Sequence, residues 1–300
     1  MFPIIPANSV AEEAGNSEGI FGFGNDGSNT AVTNLVSNAG VVSTDVAGVG
    51  TGRGYIAACS YGGDKGIFGF GYSPATVSTT NLVSNAGVVS SDVAGVGTAR
   101  YSLMACSYGG DKGIFGFGNG PVSLTNLVSN AGVVASDQAA STGTARYSGM
   151  ACPYDGDKAI FGYGYTDTYV SMSNLVSNAG VVASDQAATT GSARKGGGAI
   201  TYGGDKAIFG FGHDSSSRVS ITNLVSNTGV VAADTAGVGT ARYMLGACEY
   251  GQDKGIFGYG HSSGGDVSIT NLVSNAGVVA SDQAATTGTA RHSITACSYN

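Results

Sequence analysis

The chain has no tryptophan, three histidines and five prolines, and charged side chains make up only 11% of its 300 residues. So few charges exclude the highly charged form of disorder, in which too little apolar surface is present to offset the entropy of ordering. No apolar run approaches the ~18 residues needed to cross a bilayer, and the opening MFPIIPANSVAEEAG has no basic segment. Neither membrane insertion nor a signal peptide is therefore expected. Basic residues number 13 against 20 acids, a net charge of −7, which argues against nucleic acid as a partner because phosphate binding needs clustered Lys and Arg. Cysteines number five, an odd count with no CxxC pair. What is abundant is apolar side chain, at 42%, and glycine, with 51 residues. The apolar share is enough to build a core for one or two domains.

The glycines fall in a repeat. Ile-Phe-Gly-(Phe/Tyr)-Gly starts at Ile20, Ile67, Ile114, Ile160, Ile208 and Ile256. Asn-Leu-Val-Ser-Asn starts at Asn34, Asn81, Asn126, Asn174, Asn223 and Asn271, and a lone arginine recurs at Arg53, Arg100, Arg146, Arg194, Arg242 and Arg291. Six units of about 47 residues follow. They occupy residues 16–300, and residues 1–15 form a separate N-terminal arm, either frayed or ordering on a partner.

Alternation and turn chemistry divide each unit into four short strands. In the third unit these are Tyr101–Tyr108, Gly113–Gly118, Val122–Ser129 and Val133–Asp137, with turns at Gly109–Lys112 and Asn130–Gly132. No helical periodicity is present. Period 2 places Phe115 and Phe117 on one face of the second strand and Ile114, Gly116 and Gly118 on the other, where glycine lets a neighbouring ring approach. The expected fold class is all-β: a six-bladed β-propeller of four-stranded antiparallel blades.

The order Arg, small-residue strand, tyrosine-glycine turn, aromatic-glycine strand in TARYSLMACSYGGDKGIFGFG, Thr98 to Gly118, resembles the kelch repeat over nearly the whole chain. That resemblance implies the propeller, with its ring closed by the C-terminal strand joining the N-terminal blade, and, as one reading, an intracellular protein-interaction scaffold. The chain departs from the kelch pattern in splitting the adjacent glycine pair around an aromatic residue and in lacking the fourth-strand tryptophan. A second likeness rests on GGDKAIFGFG (Gly203–Gly212), NLVSNAGVVASD (Asn174–Asp185) and FPIIPANS. These strings are similar to repeat proteins of tailed-phage and aquatic viral genomes, which implies a virion component, assembled in the host cytoplasm and serving host attachment or particle assembly.

Spacing separates scaffold from variable parts. The Asn-to-Asp offset is 11 residues in all six units, and the Arg-to-Lys offset is 12 in the five complete ones. Length varies only in the connections from strand 2 to 3 and from strand 4 to 1, which an up-and-down blade places on one face. The residues there are Asn25, Asp26, Tyr72, Asn119, Tyr165, Asp167, His213, Asp214, His261 and Asp266, together with Tyr101, Tyr147, Lys195, Tyr243 and His292 just after the arginines. This face is the expected ligand-binding surface, since binding residues commonly ride on loops held by a rigid scaffold.

Eleven of the thirteen basic residues occupy repeated positions, matched by eleven repeated aspartates that include Asp45, Asp92, Asp137, Asp185, Asp234 and Asp282. Repeated Arg and Asp are expected to form structural pairs or backbone hydrogen bonds between blades. Cys59, Cys106, Cys152, Cys248 and Cys297 share one inner-strand position, held by Ile200 in the remaining unit, and are expected to be buried free thiols. With no histidine pair at metal spacing in sequence, no metal and no cofactor is expected.

Two function classes follow. The first is a non-enzymatic binding or structural module, able to form a homo-oligomer, whose partners are virion proteins or cell-surface glycans. The second is a carbohydrate hydrolase or lyase using Asp167 or Asp214, which a carboxylate pair facing one pocket would favour.

Overall fold

The computed structural model describes residues 16–139, 143–187, 191–284 and 288–300; the expected arm at 1–15 lies outside them. Every regular element among the described residues is a β-strand. Among these described residues no helix is long and apolar enough to cross a membrane.

Six three-stranded antiparallel sheets repeat along the chain. In the first, β1 (Glu18–Gly22) lies between β2 (Thr33–Val36) and the last strand of the chain, β23 (Thr295–Tyr299). The second joins β3 (Ala57–Tyr61), β4 (Lys65–Gly69) and β7 (Thr80–Val83), with a small hairpin of β5 (Tyr72–Ser73) and β6 (Ala75–Thr76) in its connection. The third contains β8 (Met104–Tyr108), β9 (Lys112–Gly116) and β10 (Thr125–Val128). The fourth contains β11 (Met150–Tyr154), β12 (Lys158–Tyr165) and β13 (Tyr169–Val176), and the fifth β14 (Gly198–Tyr202), β15 (Lys206–His213) and β16 (Arg218–Val225). The sixth contains β18 (Gly246–Tyr250), β19 (Lys254–Gly258) and β22 (Thr270–Val273). Beside it, β17 (Arg242–Tyr243), β20 (His261–Ser262) and β21 (Gly265–Asp266) make a short three-stranded ladder.

The expected fourth strand is not a strand. Isolated bridges, such as Val36 to Val42 and Thr33 to Val46, replace a continuous ladder there. The reason lies in the asparagine of Asn-Leu-Val-Ser-Asn. Asn34 is fully buried, and its Nδ2 donates to the Ser43 carbonyl and to Asp45 Oδ1, so a side chain takes the place of a ladder bond. Asn81, Asn126, Asn174, Asn223 and Asn271 do the same to Ser90, Ala135, Ala183, Ala232 and Ala280.

The expected strand-2 alternation fails at its second aromatic. Phe23, Phe70, Phe117, Tyr163, Phe211 and Tyr259 all have φ between 59° and 64°, the left-handed region, and around Tyr163 and Phe211 the register slips as in a β-bulge. The bulge turns Phe117 away from the face of Phe115. Phe115 meets Phe70 of the second sheet at 5.1 Å, while Phe117 meets Phe161 of the fourth at 5.3 Å. The glycine expectation holds: a methyl at Gly69 or Gly116 would collide with the ring of Phe115 or Phe161.

The bulge also aims a carbonyl at the repeated arginine. Arg53 Nε donates to Phe70 O at 2.9 Å, Nη1 to Thr51 O and Nη2 to Asn81 Oδ1, all within the second sheet and its entry loop. Asp92 accepts from Thr51 and Asn81 and stands 3.7 Å from the guanidinium. In all six units the Arg-to-Asp separation is 3.7–4.0 Å. The Arg and Asp pair thus sits inside one sheet rather than between blades, while the expected backbone hydrogen bond between blades is made by the arginine carbonyl. Arginine reaches the neighbouring sheet by other means. Its guanidinium lies over that sheet's bulge ring, as with Arg53 over Phe23 at 4.5 Å, and its carbonyl accepts an N–H there, as from Gly24. Burial pulls the guanidinium of Arg53, Arg100, Arg146 and Arg242 down to about 10, with the aspartate opposing, which leaves each charged at neutral pH.

Removing the fork of such a buried, hydrogen-bonded cation costs about 3–5 kcal/mol when partners are stranded. Arg100→Lys keeps the charge and loses the fork. It is expected to lower the unfolding free energy by about 2–4 kcal/mol in urea titrations, and a loss below ~0.5 kcal/mol would mean the network contributes little.

Candidate functional site

Each variable residue is set by the bulge and the arginine. Immediately after the arginine the chain meets the outgoing end of strand 2, through the bridges Gly54 to Tyr72, Tyr147 to Tyr165 and Lys195 to His213, and through the pairing of Tyr243 with His261. The bridge of Asn25 to His292 joins the first unit's loop to the last unit's. The two variable connections are therefore neighbours, and their side chains form a chain of rings. Tyr72 meets Tyr101 at 5.7 Å, Tyr147 meets Tyr165 at 5.6 Å and Tyr165 meets Tyr169 at 5.2 Å. Tyr169 stacks on His213, which adjoins Tyr243; Tyr243 adjoins His261, and His261 adjoins His292. Lys195 Nζ lies 4.1 Å above the Tyr165 ring, and burial pulls its amine down. Asn119 caps its own loop through the Gly120 N–H, and Asn25 and Asp26 hold the Gly27 and Ser28 N–H groups, so these three serve turns.

Between the fourth and fifth sheets the rim opens into a cleft of about 610 Å³ lined by Tyr165, Asp167, Tyr169 and Asp214. The loop acids singled out in the sequence thus face one cavity. They differ in kind. Asp167 is exposed. Burial works against ionising Asp214, yet N–H groups of Ser216 and Ser217 and the Ser216 hydroxyl outweigh it and hold its carboxyl below the usual range. A carboxylate held this way accepts hydrogen bonds.

The opposite end of the rim brings together what the sequence separates. His261 Nδ1 stands 2.5 Å from Asp266 Oδ1, and His292 Nδ1 stands 3.0 Å from the same carboxylate. Spacing along the chain does not reveal this histidine pair, since His261 belongs to the sixth unit's loop and His292 to the entry of β23. The cysteines are free and buried as expected. The sulfurs of Cys59, Cys248 and Cys297 face glycines of the neighbouring sheet: a methyl at Gly66 would collide with Cys297 Sγ, and one at Gly113 with Cys59 Sγ. Burial drives the Cys59 thiol up to about 12, so it remains protonated and inert.

One residue was passed over in the sequence. The inner strands β3, β8, β11, β14, β18 and β23 line a cavity of about 1020 Å³. One register position there carries Ser60, Ser107, Pro153, Thr201, Glu249 and Ser298. Ser60, Ser107, Thr201 and Ser298 donate across to carbonyls of Ser298, Ser60, Pro153 and Glu249, stitching strand to strand. Glu249 places a half-buried carboxyl in this wall, where burial pushes it up to about 7, against a hydrogen bond from Thr201. The signal was available, as the one charged residue at a repeated small-residue position.

No protein family and no curated protein matches the chain.

Because folding raises the Glu249 carboxyl above its ordinary value of 4.5, the fold loses stability as pH rises from about 4.5 to about 7. At ~1.4 kcal/mol per unit the penalty above pH 7 is at most about 3 kcal/mol. Glu249→Gln removes it. Thermal melting should show the variant more stable than wild type at pH 8 and equal to it at pH 4; equal melting at both would refute the assignment.

Proposed function

We propose that this chain is a non-catalytic six-bladed β-propeller that binds saccharide on its variable rim. The closed ring is supported by strand order. The first and last strands share a sheet, and the inner strands neighbour one another in the order β3, β8, β11, β14, β18, β23, with β23 beside β3. The arginine and ring contacts follow the same circuit, from Arg53 over Phe23 to Arg291 over Tyr259. In this reading the bridged fourth segment is the outer edge of each blade.

The observation that carries the function is the cleft of Tyr165, Tyr169, Asp167 and Asp214. Tyrosine faces stack on the apolar faces of sugar rings, and ionised carboxylates accept from their hydroxyls. Hydrolysis is the less favoured use of these acids. It requires one carboxyl raised so that it can donate a proton to the leaving oxygen, and Asp214 is shifted the other way. For a setting we adopt the virion surface that the phage likeness implies, with the rim facing the host.

Wild-type protein on a glycan array should retain a defined set of saccharides. Tyr165→Ala and Asp214→Ala should each weaken retention about 10-fold, the order expected for one ring contact or charged hydrogen bond. Mass spectrometry of the retained sugar should find it intact. Cleaved product would move the assignment to a hydrolase or lyase, and no retention of any saccharide would overturn it.

A further inference from the structure

We propose that His261, Asp266 and His292 form a site for a divalent transition-metal ion, with Zn²⁺ the natural occupant. One ring nitrogen of each histidine and a carboxylate oxygen all lie within 4.8 Å of one another. Donors bound to one Zn²⁺ at about 2.0–2.2 Å stand roughly 3–3.5 Å apart. The separations of 2.5 and 3.0 Å from histidine to carboxylate therefore need adjustments of about 1 Å or less to admit an ion.

Backbone pairing fixes all three ligands. His261 and Asp266 face each other directly across the β20 and β21 ladder, His261 is also paired with Tyr243, and His292 is tied to Asn25. Ligands set on paired backbone lose little freedom on binding, which favours affinity. The donor chemistry selects the ion. Two imidazoles and one carboxylate suit Zn²⁺, Co²⁺, Ni²⁺ or Cu²⁺, whereas Ca²⁺ and Mg²⁺ prefer all-oxygen shells. The side chains are 23–31% exposed, so solvent or an exogenous ligand can complete the coordination sphere.

The site occurs once because the loops differ. The partner positions elsewhere on the rim pair Gly54 with Tyr72, Tyr147 with Tyr165 and Lys195 with His213. Each of these lacks two imidazoles, and Lys195 adds a repelling cation. The junction of the first and last units alone combines two histidines with an acid among the described residues. The proposal is independent of the saccharide reading, since the cleft of Tyr165 and Asp214 involves none of these ligands.

The test is calorimetric titration of the chelator-treated full chain with ZnCl₂, paired with the visible spectrum after adding CoCl₂. One ion per chain is expected, together with a Co²⁺ band shape typical of nitrogen and oxygen ligands. His292→Ala and Asp266→Asn should each weaken Zn²⁺ binding by at least 10-fold and abolish the Co²⁺ band, with His261→Gln as the alternative should His292→Ala fail to fold. His213→Ala, on the same rim but outside the cluster, should bind as wild type does. Absence of stoichiometric Zn²⁺ binding by the wild type, or equal binding by the ligand variants, would overturn the proposal.

Discussion

The buried arginine is the interaction on which the rest of this structure depends. Its three hydrogen-bonding nitrogens hold the entry loop, the bulge carbonyl and the strand-3 asparagine of one sheet, while its flat face rests on the aromatic ring of the next. A guanidinium taken out of water is costly unless every donor is satisfied. That demand fixes the surrounding residue types: a left-handed aromatic between glycines to offer its carbonyl, an asparagine to offer Oδ1 to the guanidinium and Nδ2 to the fourth segment, and an aspartate to balance the charge. Desolvation raises the cost of ionising that aspartate, but hydrogen bonds from Thr51 and Asn81 overcome it and keep Asp92 below its ordinary value. Spacing constancy in the chain is a record of this network.

Variation is permitted where the network ends. Beyond the bulge and just after the arginine, backbone pairing holds the chain in place whatever the side chain. Loops can therefore carry Tyr165 and Asp214 at one junction and His261, Asp266 and His292 at another without disturbing the core. The two chemistries proposed for the rim, a ring-and-carboxylate cleft and a metal-binding triad, are alternative uses of the same geometric position. The wall of the larger cavity behaves differently. Its small hydroxyl residues stitch the inner strands together, and Glu249 interrupts the stitching with a carboxyl that burial holds toward its neutral form.

Much of this was legible beforehand because repetition exposes structural necessity. Strand class, the six units and the burial of the cysteines followed from residues that recur in register, and the pairing of the chain's two ends from the strand order of the kelch repeat. Two readings failed for a shared reason. The fourth strand and the facing of Phe117 were inferred from alternation, and alternation cannot foresee a side chain taking over a ladder bond or an aromatic residue entering the left-handed region. Of the two links expected of the repeated Arg and Asp, the backbone hydrogen bond between sheets is present, whereas the ion pair stays within one sheet and the ring face takes its place, which charge counting does not register.

The sequence by itself determined the scaffold, since a buried charge with a fixed set of partners leaves a periodic imprint that can be counted. Only the tertiary structure decided which unlike residues meet. His261 and His292 are 31 positions apart and belong to different sheets, and they become neighbours because the last strand of the chain pairs with the first. Asp167 and Asp214 likewise come to line one cleft because adjacent sheets set equivalent loops side by side. Non-repeating contacts of this kind have no period to read, and their chemistry depends on distances that only packing sets.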